Sequence, residues 1–163
     1  KIDADDRVPM GFPTVPEINY GLGATIKYKQ FDFNFSFQGQ ANVSLMMSGF
    51  HPFGTQVRRN VLQWVADDYW SQKNPNARYP RLTLHDNNNN QQASSHWLRN
   101  AAFLKLRNLE VGYQFKMARI YANATNLLTF APFKLWDPEM GGGRGMSYPL
   151  QRTFNLGVQL TFK

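Results

Sequence analysis

Three histidines, two carboxylate pairs and one glycine-rich stretch are the parts of this 163-residue chain whose types invite catalysis. His51, His85 and His96 all lie in loop sequence. They show neither metal-ligand spacing nor the partners of a nucleophilic triad. Asp67-Asp68 and Asp137 with Glu139 are candidate acid–base pairs, but beside helix and turn sequence they read better as caps and turn formers. Gly141–Gly145 lacks the Lys-Ser/Thr that completes a phosphate loop and reads as a flexible tip. The chain has no cysteine, which excludes disulfides and thiol chemistry. These residues point away from an enzyme.

Binding chemistry is better supplied. Lys1-Ile-Asp-Ala-Asp-Asp-Arg7 has the order of the back half of a calcium loop, with Asp3 at the ninth position and Asp6 at the twelfth. The front half would lie before Lys1, and half a loop cannot hold calcium tightly. An acidic turn is the simpler reading, and calcium is expected only in a longer parent chain. Trp64, Tyr69, Trp70, Trp97 and Trp136 stand in loop sequence beside many Asn and Gln. Aromatic faces with planar polar groups suit a sugar. The same rings would serve equally to pack the loops.

The elements that position these residues are strands. In Thr153–Lys163, Phe154, Leu156, Val158, Leu160 and Phe162 share one face, with Thr153, Asn155, Gly157, Gln159 and Thr161 opposite. A soluble sandwich could use such a strand with its apolar face inward. A membrane barrel could use it with that face toward lipid. From Asn19 the same period sets Tyr20, Leu22, Ala24, Ile26 and Tyr28 against Asn19, Gly21, Gly23, Thr25 and Lys27. Lys29-Gln30 makes a short turn, and Phe31, Phe33, Phe35 and Phe37 then alternate with Asp32, Asn34, Ser36 and Gln38. Burying that polar face in a dry core would be costly, so it should be wet.

Period two returns around Trp97–Phe115, where Leu109, Val111, Tyr113 and Phe115 oppose Asn108, Glu110, Gly112 and Gln114. Upstream, Ala102, Leu104 and Leu106 lie on the other parity, against Lys105 and Arg107. The switch predicts a bulge near Arg107 or a strand that leaves the bilayer there. Lys116-Met117 is a tight turn, followed by a strand over Ala118–Phe130. The segments at about 41–96 and 131–150 are long loops. The first holds a short amphipathic helix within Asn60–Trp70 and an Asn/Gln tract, Asp86–Gln92, typical of a flexible tip. Residues 1–18 form a proline-rich connection, and 19–163 hold five antiparallel strands joined short, long, short, long.

Composition fits this reading. Aromatics make up 15% of the chain and charged residues only 18%. Aromatic girdles on lipid-facing strands give such a balance, and so does an aromatic-rich sandwich. No apolar run reaches the roughly 18 residues of a transmembrane helix. The net charge of +7 suggests an anionic partner. Yet no more than two basic residues are consecutive, at Arg58-Arg59, and no nucleic-acid motif is present, so no nucleic-acid partner is expected.

A run of short segments carries a family likeness: Lys1–Arg7, Tyr28–Asp32 with Gln38-Gly39, Tyr69-Trp70 with Asn74-Pro75-Asn76, Tyr79-Pro80 and Ser95–Arg99. Leu104–Tyr113, Asn126–Thr129, Trp136–Glu139, Tyr148-Pro149 and the terminal Phe162 complete the succession. In this order they resemble the C-terminal part of a SusC/RagA-type TonB-dependent outer-membrane transporter of the Bacteroidetes. The resemblance implies an all-β chain contributing about five strands to a plugged barrel of about 22, with long extracellular loops. Asp32, Asn34, Ser36, Gln38 and Glu110 would line the lumen. Five strands cannot close a barrel or leave open edges in lipid, so the chain is expected to be part of a longer polypeptide or to complete its barrel with another chain. The implied partners are the rest of the barrel, outer-membrane lipid, the TonB complex through a preceding part, and a SusD-like surface lipoprotein over the loops. The implied cargo is a large nutrient, commonly an oligosaccharide and sometimes a peptide. A secreted carbohydrate-binding β-sandwich is the competing expectation. It requires the Phe31–Phe37 face to meet a second sheet.

Overall fold

A computed structural model describes residues 4–49, 61–84, 87–143 and 145–162. In chain order the elements are β1 (Ile18–Tyr28), β2 (Phe31–Ala41), β3 (Ser44–Met46), α1 (Gln63–Ala66), α2 (Asn88–Gln91), β4 (Leu98–Asn100), β5 (Phe103–Gln114), β6 (Ala118–Phe130) and β7 (Thr153–Leu160). Two 3-10 turns, Ala4–Asp6 and Pro138–Met140, lie outside the sheets. The five long strands form one antiparallel sheet in the order β1-β2-β5-β6-β7, and β3 pairs with β4 in a separate ribbon. Only the two residues Lys29-Gln30 separate Tyr28 from its partner Phe31, and Lys29 takes a left-handed φ of 54° to close the turn.

Register explains the change of parity. Phe37 pairs with Leu106 and Ser36 with Asn108, so Arg107 is an extra residue against β2. The bulge turns β5 by one residue and brings Leu104 and Leu106 onto the face that already carries Leu109, Val111 and Tyr113. Opposite it, Leu106 pairs with Leu128 and Asn108 with Thr125, and Asn126 between them adopts a φ of 52°. One apolar face therefore runs unbroken across all five strands, through rows such as Leu22-Phe37-Leu106-Leu128 and Tyr28-Phe31-Tyr113-Ile120-Val158.

Among the described residues no second sheet covers that face, although Leu106 and Ala124 on it are buried. Leu22 is 69% exposed and Leu156 is 87% exposed. Among the described residues the second sheet that a sandwich requires is missing there, since the other ribbon, β3 with β4, belongs to a different cluster. From Tyr20 to Tyr28 the apolar face extends about 26 Å along β1, comparable with a bilayer's hydrocarbon band. No helix is long and apolar enough to cross a membrane, which says nothing about strands.

The hydrophobic core sits in the loops. Val43, Leu45, Met47, Val65, Tyr79, Trp97, Ala101 and Phe133 form one buried cluster. The described parts of the connection from β2 to β5 thus form a folded unit rather than a structureless loop. Its helix is shorter than the expected Asn60–Trp70 stripe. It stops at Asp67, whose side chain accepts a 2.6 Å hydrogen bond from Gln63, and the chain then turns to pair with Tyr79. The Asn/Gln tract is folded too. The Asn87 side chain accepts from the Asn90 amide to cap α2, and Trp97 Nε1 donates 2.9 Å to the Asn90 carbonyl.

Candidate functional site

The polar face of the sheet is the first candidate surface. Asp32, Asn34, Ser36 and Gln38 lie on it because β2 alternates strictly, and register sets Asn34 directly opposite Glu110. The five expected lumen-lining residues therefore share one face. They stand in a network: Asn108 donates 3.0 Å to Ser36 Oγ, and Arg107 Nε donates 2.8 Å to Gln38 Oε1.

Two ion clusters occupy the ends of this face. At the short-turn end, Arg119 forms a pair with Asp32, its Nε 3.0 Å from Oδ1, and reaches Glu110 Oε1 at 2.7 Å. Its guanidinium also lies 4.9 Å from the centre of the Tyr121 ring. Two glycines make room for this group. A Cβ on residue 112 would lie 2.5 Å from Arg119 Nη2 and 2.6 Å from Asp32 Oδ1. A Cβ on residue 157 would lie 2.3 Å from the Tyr121 ring. Glycine leaves at both positions the space that these side-chain ends occupy, and a larger residue would make them shift.

At the long-loop end, Lys105 is fully buried. Its ammonium lies 2.7 Å from both oxygens of Asp137 and 2.7 Å from Glu139 Oε2. Arg107 pairs with the other oxygen of Glu139 and donates 2.8 Å to Asn126 Oδ1. Two cations and two carboxylates thus neutralise one another where the loop after β6 crosses the polar face. Burial alone would raise the Glu139 pKa, but hydrogen bonds from Arg107 and Lys105 outweigh it and hold the carboxyl below its usual value. Asp137 also caps the Pro138–Met140 turn, its Oδ1 accepting 3.0 Å from the Glu139 amide. The sequence marks Asp137 and Glu139 as turn and cap residues, which they are. It does not show the lysine and arginine they meet.

The loop unit is the second candidate surface. Of the five aromatics expected to contact cargo, three are committed to packing. Trp97 is 2% exposed, and Trp64 and Trp136 are partly buried against the same core. The Trp64 ring lies tilted against Tyr79 with centres 5.0 Å apart, and Trp136 meets Phe133 edge-on at 4.6 Å. Tyr69 and Trp70 keep open faces, at 37% and 39% exposure. A pairing holds them in place: Tyr79 donates to the Asp68 carbonyl at 3.0 Å and Trp70 to the Tyr79 carbonyl at 2.8 Å. Nearby, a cleft of about 1010 Å³ opens between residues 6–10 and 89–98, bordered by Arg7, Met10, Met46, Asn90, Gln92 and His96.

The calcium half-loop is described only in part. Asp3 lies outside the described residues, and Asp6 is exposed in the first 3-10 turn. No group of three or more His, Asp or Glu side chains that could hold a metal occurs among the described residues. His51 and His85 also lie outside the described residues. His96 meets Trp97 edge-on at 4.4 Å, and burial lowers its pKa.

With the geometry in place, the comparisons with known proteins are informative. No family model matches the chain. TonB-dependent receptor P26 of Formosa agariphila is 29% identical over 99% of the chain, and TonB-dependent receptor SusC of Bacteroides thetaiotaomicron is 28% identical over 99%. The chain spans 18% and 16% of the length of these relatives. Among solved structures, the RagAB peptide importer in its closed-closed state superposes with a TM-score of 0.77 at 26% identity, over 99% of this chain and 19% of that one. Its open-open state gives 0.73 at 24% identity over the same shares, a likeness of fold. Sequence and fold alike thus make this chain similar, over almost its whole length, to part of a SusC/RagA-type TonB-dependent outer-membrane transporter.

Proposed function

We propose that this chain supplies wall strands and outward loops to a TonB-dependent importer of large nutrients in the bacterial outer membrane. One observation carries the reading. The sheet presents an uninterrupted, uncovered apolar face on one side and a charged, hydrogen-bonded face on the other. A soluble protein would not leave so wide an apolar sheet in water. A barrel wall needs both faces, one for lipid and one for a wet lumen. The outer edges of β1 and β7 have no partner strand among the described residues, so further strands would close the barrel. A SusD-like surface lipoprotein over the folded loop unit and a TonB complex reached through another part of the protein complete the machine.

The cargo we favour is an oligosaccharide, because Tyr69 and Trp70 offer open ring faces beside amide side chains such as Asn74. The peptide cargo of the RagAB importer supplies the second candidate to test. Uptake of fluorescently labelled oligosaccharide and of labelled peptide is to be followed in cells with and without this protein, and with and without TonB. Import of one cargo class that disappears in both deletions supports the proposal. Import of both classes unchanged in the deletion strain overturns it.

A further inference from the structure

We infer that the short-turn rim of the sheet binds anionic phospholipid headgroups, with Lys29 and Lys116 as the phosphate-binding side chains. The inference rests on the reading that the apolar face meets lipid, and it adds a lipid class and the residues that select it.

The two lysines sit on neighbouring turns. Lys29 lies between β1 and β2, Lys116 between β5 and β6, and β2 pairs with β5. The turns are joined directly, since Gln114 N donates 2.8 Å to the Gln30 carbonyl. Beneath them, on the apolar face, is a connected set of rings. Phe31 meets Tyr113 edge-on at 4.8 Å, and Tyr113 meets Phe115 at 4.7 Å. Tyr28 and Phe31 are opposite each other in register, and Phe162 reaches the same end of the sheet, where Thr161 N donates to the Met117 carbonyl. Amphipathic aromatics in this position mark the level of the headgroups.

Charge complementarity selects the headgroup. Lys29 Nζ lies 5.4 Å from the centre of the Tyr28 ring on the outer face, and Lys29 also borders a small cavity beside Asp32 and Arg119 on the polar face. Neither turn contains a carboxylate. The acids at this end, Asp32 and Glu110, belong to the other face and are held by Arg119. Neither lysine has an ion-pair partner among the described residues. The contrast with the other end of the sheet is plain, since Lys105 and Arg107 are neutralised there by Asp137 and Glu139. Short turns of outer-membrane barrels face the periplasm, where the leaflet is phospholipid. A lysine near an anionic membrane surface strengthens binding about fivefold.

The test uses the intact outer-membrane protein carried through lipid exchange. Native mass spectrometry counts the phosphatidylglycerol and phosphatidylethanolamine it retains. Wild type is expected to keep phosphatidylglycerol preferentially. Lys29→Asn, which suits the left-handed turn, and Lys116→Gln are each expected to cut that preference about fivefold, with Lys116→Arg retaining it. Equal retention of the two lipids by wild type, or an undiminished preference in the double variant, overturns the inference. A second measurement separates the two levels of argument: a fluorophore on Phe33→Cys is challenged with a quencher carried on lipid acyl chains. Quenching without headgroup preference removes the lysine assignment alone. No quenching removes the membrane-facing sheet and the inference with it.

Discussion

Lys105 and Asp137 tie the wall of the sheet to the loop that crosses it. The ammonium lies 2.7 Å from each carboxylate oxygen, and the lysine side chain is wholly shielded from water. Such a pair is a poor source of net stability compared with apolar packing, but it is costly to break from one side. Lys105→Met leaves the partly exposed Asp137 and Glu139 with Arg107 as their remaining cation. It is expected to weaken the anchoring of the 131–150 loop by about 3 kcal/mol, seen as faster proteolysis there. Adding Asp137→Leu to Lys105→Met should restore part of the loss. A single variant as protease-resistant as wild type would show that the loop is held by something else.

The same cluster sets a pH limit. The Glu139 carboxyl is held below 4.5, its value in an unfolded chain, because Arg107 and Lys105 favour the ionised form more than burial opposes it. A group depressed in the folded state contributes its stability above the unfolded value and loses it as pH falls through the folded one. Proteolysis of the 131–150 loop should therefore be insensitive to pH from 7 to about 5 and accelerate below about 4.5. Glu139→Gln should be more open at neutral pH and show a smaller acid response. Wild-type opening that instead rose between pH 7 and 6 would point to another titrating group.

Gly112 is expected to be less replaceable than its place in a strand implies. A Cβ there would lie 2.5 Å from Arg119 Nη2, whereas a Cβ on Gly21, on the same face, meets nothing closer than 3.5 Å. Gly112→Ala should cost about 2 kcal/mol by displacing Arg119 from Asp32, and Gly21→Ala should cost little. Urea unfolding in lipid bilayers compares the two. Equal midpoints would mean that Arg119 finds another rotamer at no cost.

The sheet is legible in the sequence because every strand decides its faces locally. Phe31 through Gln38 alternate without exception, and the register follows once the Lys29-Gln30 turn is recognised. Even the Arg107 bulge leaves a local sign, the change of parity between Leu106 and Leu109. The loop unit leaves only the short helical stripe within Asn60–Trp70, where α1 forms. Its core joins Val43, Leu45, Val65, Tyr79, Trp97 and Phe133, residues scattered over some ninety positions, with two strands of only three residues. No periodicity survives at that spacing. Trp97 reads as a free loop aromatic because nothing in its neighbourhood announces Leu45 or Tyr79. Lys105 shows itself only as a charge between two leucines, and its partners stand 32 and 34 residues away.

Arg107 offers a direct check on the two-faced sheet. It is the residue left over between the Ser36–Asn108 and Phe37–Leu106 pairs, so deleting it lets those pairs follow one another, with Leu104 and Leu106 still on the apolar face and Lys105 still on the polar one. The deletion should therefore still assemble in the outer membrane, losing only the bonds of Arg107 to Gln38, Asn126 and Glu139. A lysine on the lipid face of a barrel costs about 2–4 kcal/mol near the midplane and less toward the rim. Leu156→Lys, at an exposed position of the apolar face, should therefore lower the amount of folded barrel, read as loss of the heat-modifiable band on a gel. Equal assembly of Leu156→Lys and wild type would mean that this face does not meet lipid.

The loop aromatics separate binding from packing. Trp70 is 39% exposed and Trp97 is 2% exposed, so equal truncations at the two sites act on different quantities. Trp97→Ala opens a cavity in the loop core and drops the hydrogen bond to Asn90, at an expected cost of about 3–5 kcal/mol in local stability. Trp70→Ala removes a solvent-facing ring and should leave the fold intact while weakening a stacked sugar about tenfold. Calorimetry with candidate oligosaccharides reads the second effect, and hydrogen exchange over residues 61–101 reads the first. If Trp70→Ala binds cargo as tightly as wild type while remaining folded, the ring faces of this segment are not part of the cargo path, and the cleft between residues 6–10 and 89–98 becomes the place to look for it.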